Sequence, residues 1–217
     1  PVKAAQPVSA KTALFRGAIA VAMNGVPIFN PIKNDGRTDT LLAGELDTFG
    51  GHCGRADDYH YHVAPLHLET SAAKPIGWAL DGYALYGLNE PDGRAARGLD
   101  EFNGHEHDER GYHYHSTKAY PYVNGGLRGA VTVEDDAIEP QPRTEPVRPA
   151  GRPLRGAKIV GFARVAPNRY SLEYTAGEEH RFIRYSIDGP SAFTFTFVDG
   201  AGRERTETYE RRARRQR

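Results

Sequence analysis

The tetrapeptide Tyr-His-Tyr-His occurs twice, at residues 59–62 and 112–115, and each copy sits in a matching frame. Asp47, Phe49, Gly51 and His52 recur 53 positions later as Asp100, Phe102, Gly104 and His105. Upstream, residues 19–25 (IAVAMNG) align with residues 76–82 (IGWALDG) at an offset of 57, and Ile28-Phe29 continue onto Leu85-Tyr86. Matching residues ahead of a matching motif, at one spacing, point to an internal duplication. Each copy reads as an apolar strand, an Asn-Gly or Asp-Gly turn and a second strand. The expectation is a mainly β fold: an internally duplicated, pseudo-twofold β domain over residues 12–133, followed by a small antiparallel β module.

Tyrosine favours strands, and side chains alternate along a strand. His60 and His62 then share one face while Tyr59 and Tyr61 take the other; His113 and His115, with Tyr112 and Tyr114, repeat the arrangement. Two imidazoles aimed from one strand offer two neutral nitrogen ligands. His52 and His105 add a third per copy, so the candidate metal ligands are His52, His60, His62, His105, His113 and His115. Nine histidines stand against one cysteine. That balance excludes a thiolate site and leaves zinc or copper as the expected cofactor, copper(II) binding such donors more tightly in general. A metal-bound water would make the centre a hydrolase or an oxidoreductase.

Asp47 and Asp100 are repeated five residues before His52 and His105. They are candidates to accept a ring N–H and fix a tautomer, with local turn capping as the competing role. Asp57 and Asp58 stand where the second copy has Arg110 and Gly111, which makes the halves chemically unequal. Glu106 is a candidate base for a metal-bound water. Cys53 reads as a bystander thiol, because adjacent strand residues point apart. His67 and His107 have no counterpart in the other copy.

Two readings compete with metal binding. Tyr59, Tyr61, Trp78, Tyr83, Tyr112 and Tyr114 could line a groove for a carbohydrate or another small extracellular ligand; against this, the histidine strands need a core side, which the tyrosines would supply. Alternatively the histidines are purely structural and hold the halves together by hydrogen bonds.

Composition narrows the partners. The 28 basic and 28 acidic side chains cancel, which argues against a nucleic-acid binder. No run approaches the ~18 apolar residues of a membrane span. The opening residues, PVKAAQPVSAK, lack the hydrophobic stretch of a signal peptide. Residues 134–155 carry five prolines and read as an extended linker. Residues 156–212 read as the β module, with period-two alternation in RYSLEYT, RFIRYSI, AFTFTFV and RTETYE and turns at Asp188-Gly189 and Asp199-Gly200. The terminal RRARRQR reads as a solvated basic tail.

Taken together, GAIAVAMNGVPIFNP, GGHCGRADDYHYHVAP, PIGWALDGYALYG, LDEFNGHEHDERGYHYHST and YPYVNGGLRG resemble the YHYH-domain proteins, a bacterial family named after the motif. The resemblance spans residues 17–129. It implies an exported protein, secreted or periplasmic, without an assigned reaction. Many relatives carry cysteines at the positions of Phe102 and Gly126, and the resemblance implies a disulfide there that this chain lacks.

Overall fold

The structure is a computed structural model that describes residues 7–55, 57–107, 110–142, 146–152 and 154–211. The basic tail from residue 212 onward lies outside the described residues. Nearly all regular structure is β. The strands run in chain order β1 (Val8–Ser9), β2 (Ala18–Ala22), β3 (Pro27–Phe29), β4 (Gly51–Cys53), β5 (Tyr59–Tyr61), β6 (Gly77–Ala79), β7 (Ala84–Tyr86), β8 (Gly104–His107), β9 (Gly111–His115) and β10 (Gly126–Leu127). They continue as β11 (Thr132–Glu134), β12 (Ala137–Glu139), β13 (Ala157–Ala166), β14 (Arg169–Ala176), β15 (Glu179–Ile187), β16 (Ala192–Val198) and β17 (Glu204–Glu210). A 3-10 turn covers Leu66–Leu68. No helix among the described residues is long and apolar enough to cross a membrane.

The chain divides into two compact units: residues 1–43, 49–51 and 59–143 form one, and residues 44–48, 52–58 and 144–217 the other. The first is built on strands in the sheet order β5-β3-β2-β6-β7-β9-β8. At its middle β2 and β6 run antiparallel, with Ala20 opposite Ala79 and Val21 opposite Trp78. On one side β3 pairs parallel with β5, Ile28 opposite Tyr61; on the other β7 pairs parallel with β9, Leu85 opposite Tyr114.

The Asn-Gly and Asp-Gly signals close two hairpins of the same construction. Gly25 N donates to Ala22 O and Ala22 N to Val26 O; Gly82 N donates to Ala79 O and Ala79 N to Tyr83 O. Each loop therefore holds three residues and ends on a glycine at positive φ, 83° at Gly25 and 92° at Gly82, where a side chain would be strained. Apolar strand residues fill the core beneath: Ile19, Ile28, Ile76, Leu85 and Tyr114 are fully buried, joined by Leu14, Val123 and Leu127. Phe102 and Gly126 lie against each other, a Cβ on Gly126 falling 2.5 Å from the Phe102 ring.

The second unit is a five-stranded antiparallel meander, β13-β14-β15-β16-β17. Alternation puts Tyr170, Tyr185 and Phe195 in register on one face, where the rings stack at centroid separations of 4.9 and 5.6 Å. Threonines occupy the other face, Thr196 opposite Thr206 and Thr194 opposite Thr208. The four predicted strands are all present. The unpredicted β13 completes the sheet.

Candidate metal centre

Strand β9 delivers His113 and His115 to one face, their ring centroids 5.0 Å apart, and Tyr112 and Tyr114 to the other, 5.3 Å apart. Beside it, β8 pairs His105 directly with His113. Gly104 permits this pairing to close, because a Cβ there would run into Tyr112 Oη and into His113 O at 2.9 Å. Glu90 reaches the same place from the loop after β7, held by Gly93 N to Glu90 O and Glu90 N to Arg94 O, both 2.8 Å.

Four ligand atoms close a ring. His105 Nε2 lies 3.2 Å from His113 Nε2, which lies 3.1 Å from His115 Nε2; Glu90 Oε1 stands 3.2 Å from His115 Nε2 and 3.1 Å from His105 Nε2. All four atoms fall within 4.8 Å of one another. His113 and His115 are 1% and 0% exposed, while the edge of the ring at His105 and Glu90 is half-buried.

The protonation of this ring follows from its outer bonds. His105 Nδ1 donates to Arg97 O, His113 Nδ1 to Gly111 O and His115 Nδ1 to Gly87 O, each at 3.0 Å. A carbonyl only accepts, so each Nδ1 carries a proton, and in the neutral imidazole Nε2 presents a lone pair. Burial, ahead of every other influence, pushes the His115 imidazole down to about 4 and lowers that of His113. Both are neutral at physiological pH. Glu90 Oε1 is buried without a hydrogen-bond partner among the described residues. Three lone pairs and a carboxylate oxygen thus face one another at contact distance, the donor set of a divalent cation.

In the first unit His60 and His62 present a second pair of imidazoles, while His52 falls in the second unit. His62 Nδ1 donates to Asn30 O at 2.6 Å and His52 Nδ1 to Glu45 O at 3.1 Å, again leaving Nε2 as acceptor. His60 and His62 share a face at 4.8 Å between ring centroids, and Phe29 stacks on His60 at 4.1 Å.

The remaining sequence-derived candidates sit elsewhere. Asp100 accepts Tyr112 Oη at 2.8 Å and the Phe102 and Gly104 amides at 2.9 and 3.0 Å, so it fastens the turn before β8 while Arg97 O orients His105. Asp47 is half-buried in the second unit. Glu106 alternates away from His105, lies 70% exposed and faces Arg128 at 3.9 Å. Tyr61, Tyr112 and Tyr114 are buried members of the core, with Tyr59 and Tyr83 packed against it. The tyrosine face is therefore the core side of these strands, and only Trp78 among the groove candidates is exposed, at 49%.

His67 Nε2 meets Tyr61 Oη at 3.3 Å, and His107 extends the histidine row 5.9 Å from the His105 ring. The Cys53 residue exposes surface, yet loss of solvent at its sulfur, then the charges of Asp58 and Asp57, push the thiol up to about 11. It is protonated and a poor nucleophile at neutral pH.

Glu90 escaped the sequence reading. Its signal was available: the 57-residue offset, carried past Ile28-Phe29, aligns Lys33-Asn34-Asp35-Gly36-Arg37 with Glu90-Pro91-Asp92-Gly93-Arg94.

Residues 1–95 match the family described as YHYH protein. That YHYH span holds the first Tyr-His-Tyr-His and Glu90 and ends before His105, His113 and His115. No curated protein and no solved structure matches the chain.

Proposed function

We propose that this chain is an extracytoplasmic transition-metal-binding protein whose principal site is the ring of Glu90, His105, His113 and His115. The observation that carries the reading is the convergence of four acceptors with no proton among them. Left empty, three lone pairs and a carboxylate at 3.1–3.2 Å repel one another; a cation at the centre turns each into a bond. The main-chain carbonyls behind each Nδ1 supply the outer support that metal-bound imidazoles use.

The donor set suits zinc or copper(II). With a metal–nitrogen distance of about 2.1 Å, the ring edges subtend roughly 95–100° at the metal, below the roughly 109° of a tetrahedron. Short contacts join neighbours round the ring, and among the described residues none joins the atoms facing each other across it. The angles fall between a square and a tetrahedron, a flattened arrangement that copper(II) adopts readily. We read the two sheet halves, β5-β3-β2 and β6-β7-β9, as copies of one unit, supported by their mirrored strand order and identical hairpin loops. The extracytoplasmic setting is supported by the YHYH resemblance.

Elemental analysis of protein purified without a polyhistidine tag tests the reading. Wild type after dialysis against copper should retain about one equivalent at this site, and His113→Ala should lose it. Less than about a tenth of an equivalent in folded wild type would end the metal hypothesis.

A further inference from the structure

We infer that Arg110 recruits a small carboxylate-bearing ligand to the metal held by Glu90, His105, His113 and His115. The inference rests on the metal-binding reading above and names what the occupied site would take. Arg110 immediately precedes β9, and its Nη2 donates to Glu90 Oε2 at 3.2 Å. Its guanidinium lies 5.0 Å over the Tyr86 ring, which itself lies 5.1 Å from the ring of His113 and 5.9 Å from that of His115. The other terminal nitrogen, Nη1, is buried and has no hydrogen-bond partner among the described residues. A buried guanidinium N–H without an acceptor forfeits a charge-assisted bond, and such a group calls for an unassigned ligand.

Glu90 shows what fits. Its carboxylate places Oε1 in the ring and Oε2 on Arg110, so the guanidinium stands one carboxylate away from the metal position. A second, exogenous carboxylate would span the same gap, one oxygen accepting from Nη1 and the other left free for the metal. Charge agrees: Glu90 and Arg110 cancel, the imidazoles are neutral, and a divalent metal leaves two positive charges for an anion to offset. The aligned position in the first half is Asp57, so only the second half carries this cation.

The test is an acetate titration of the copper(II)-loaded full chain, read by the visible band and electron paramagnetic resonance of the metal, with neutral imidazole as control. Acetate should shift the wild-type spectrum saturably. Arg110→Gln should weaken acetate at least tenfold while leaving imidazole within twofold. Arg110→Lys keeps the charge but loses the two-pronged fork, should fall between them, and carries the test if Arg110→Gln does not hold copper. Equal acetate affinity in wild type and the variants, or equal loss of acetate and imidazole, overturns the proposal. Failure of wild type to hold copper at all overturns the metal reading instead, before acetate is added.

Discussion

The two Tyr-His-Tyr-His halves share imidazoles and backbone but not charge. Lys33 and Glu90 open turns of the same construction: Gly36 N donates to Lys33 O at 2.9 Å as Gly93 N does to Glu90 O at 2.8 Å, and Asp35 and Asp92 each accept the amide two residues on. The aligned side chains are nonetheless an ammonium and a carboxylate. At the 53-residue offset Arg110 likewise aligns with Asp57, so both aligned positions carry the opposite sign. On the proposed reading, the Glu90 carboxylate is what the second half adds to its imidazoles.

The largest effect should come from erasing that difference. Glu90→Lys places an ammonium against three Nε2 atoms and should weaken copper(II) binding by at least about 100-fold in chelator competition. Unchanged affinity would make the carboxylate immaterial.

The tyrosine sides differ too. Tyr114 Oη donates to Asp81 Oδ2 at 2.5 Å and accepts Arg128 N at 2.8 Å, whereas Tyr61 Oη accepts Asn24 Nδ2 at 3.0 Å. Tyr114→Phe removes one bond from the half-buried Asp81 carboxylate, which keeps the Gly129 amide, and strands the Arg128 amide; it should cost about 1–3 kcal/mol in urea unfolding, against about 1 kcal/mol for Tyr61→Phe. Equal costs would remove this part of the contrast.

The converse exchange, Lys33→Glu, should tighten copper(II) in the first half about tenfold, seen as a rise in bound metal at fixed free copper. No rise would show that the imidazoles of that half are not held for a metal.

The smallest effect is on the metal-free protein. Burial lowers His113, and takes His115 from 6.5 to about 4, so between these values the unfolded chain binds more protons than the folded one. Stability should accordingly fall as pH drops from 6.5 toward 4 and be insensitive to these groups above that window. His115→Gln should flatten the slope of the urea midpoint against pH; an unchanged slope would assign it to other groups.

Much of this was legible in the residues. Period-two alternation gave the histidine faces and four strands of the meander because each strand has one buried side. Strand β13 was not legible, since register shifts between Ile159 and Gly161 and between Arg164 and Ala166 break its alternation. Glu90 was hidden because the residue aligned with it, Lys33, has the opposite charge. Asp100 was misleading: the ring N–H groups are taken by the carbonyls of Arg97, Gly111 and Gly87, and a main-chain acceptor leaves no mark on side-chain sequence. The tyrosines looked like a groove because sequence does not say which face of a strand is wet.

Electron paramagnetic resonance of the protein loaded with one equivalent of copper(II) tests the central claim most directly. The ring predicts an axial spectrum with nitrogen coupling from three imidazoles, simplified in His113→Ala and shifted in Glu90→Gln. A spectrum of free copper, or one indifferent to His113 and Glu90, would contradict it.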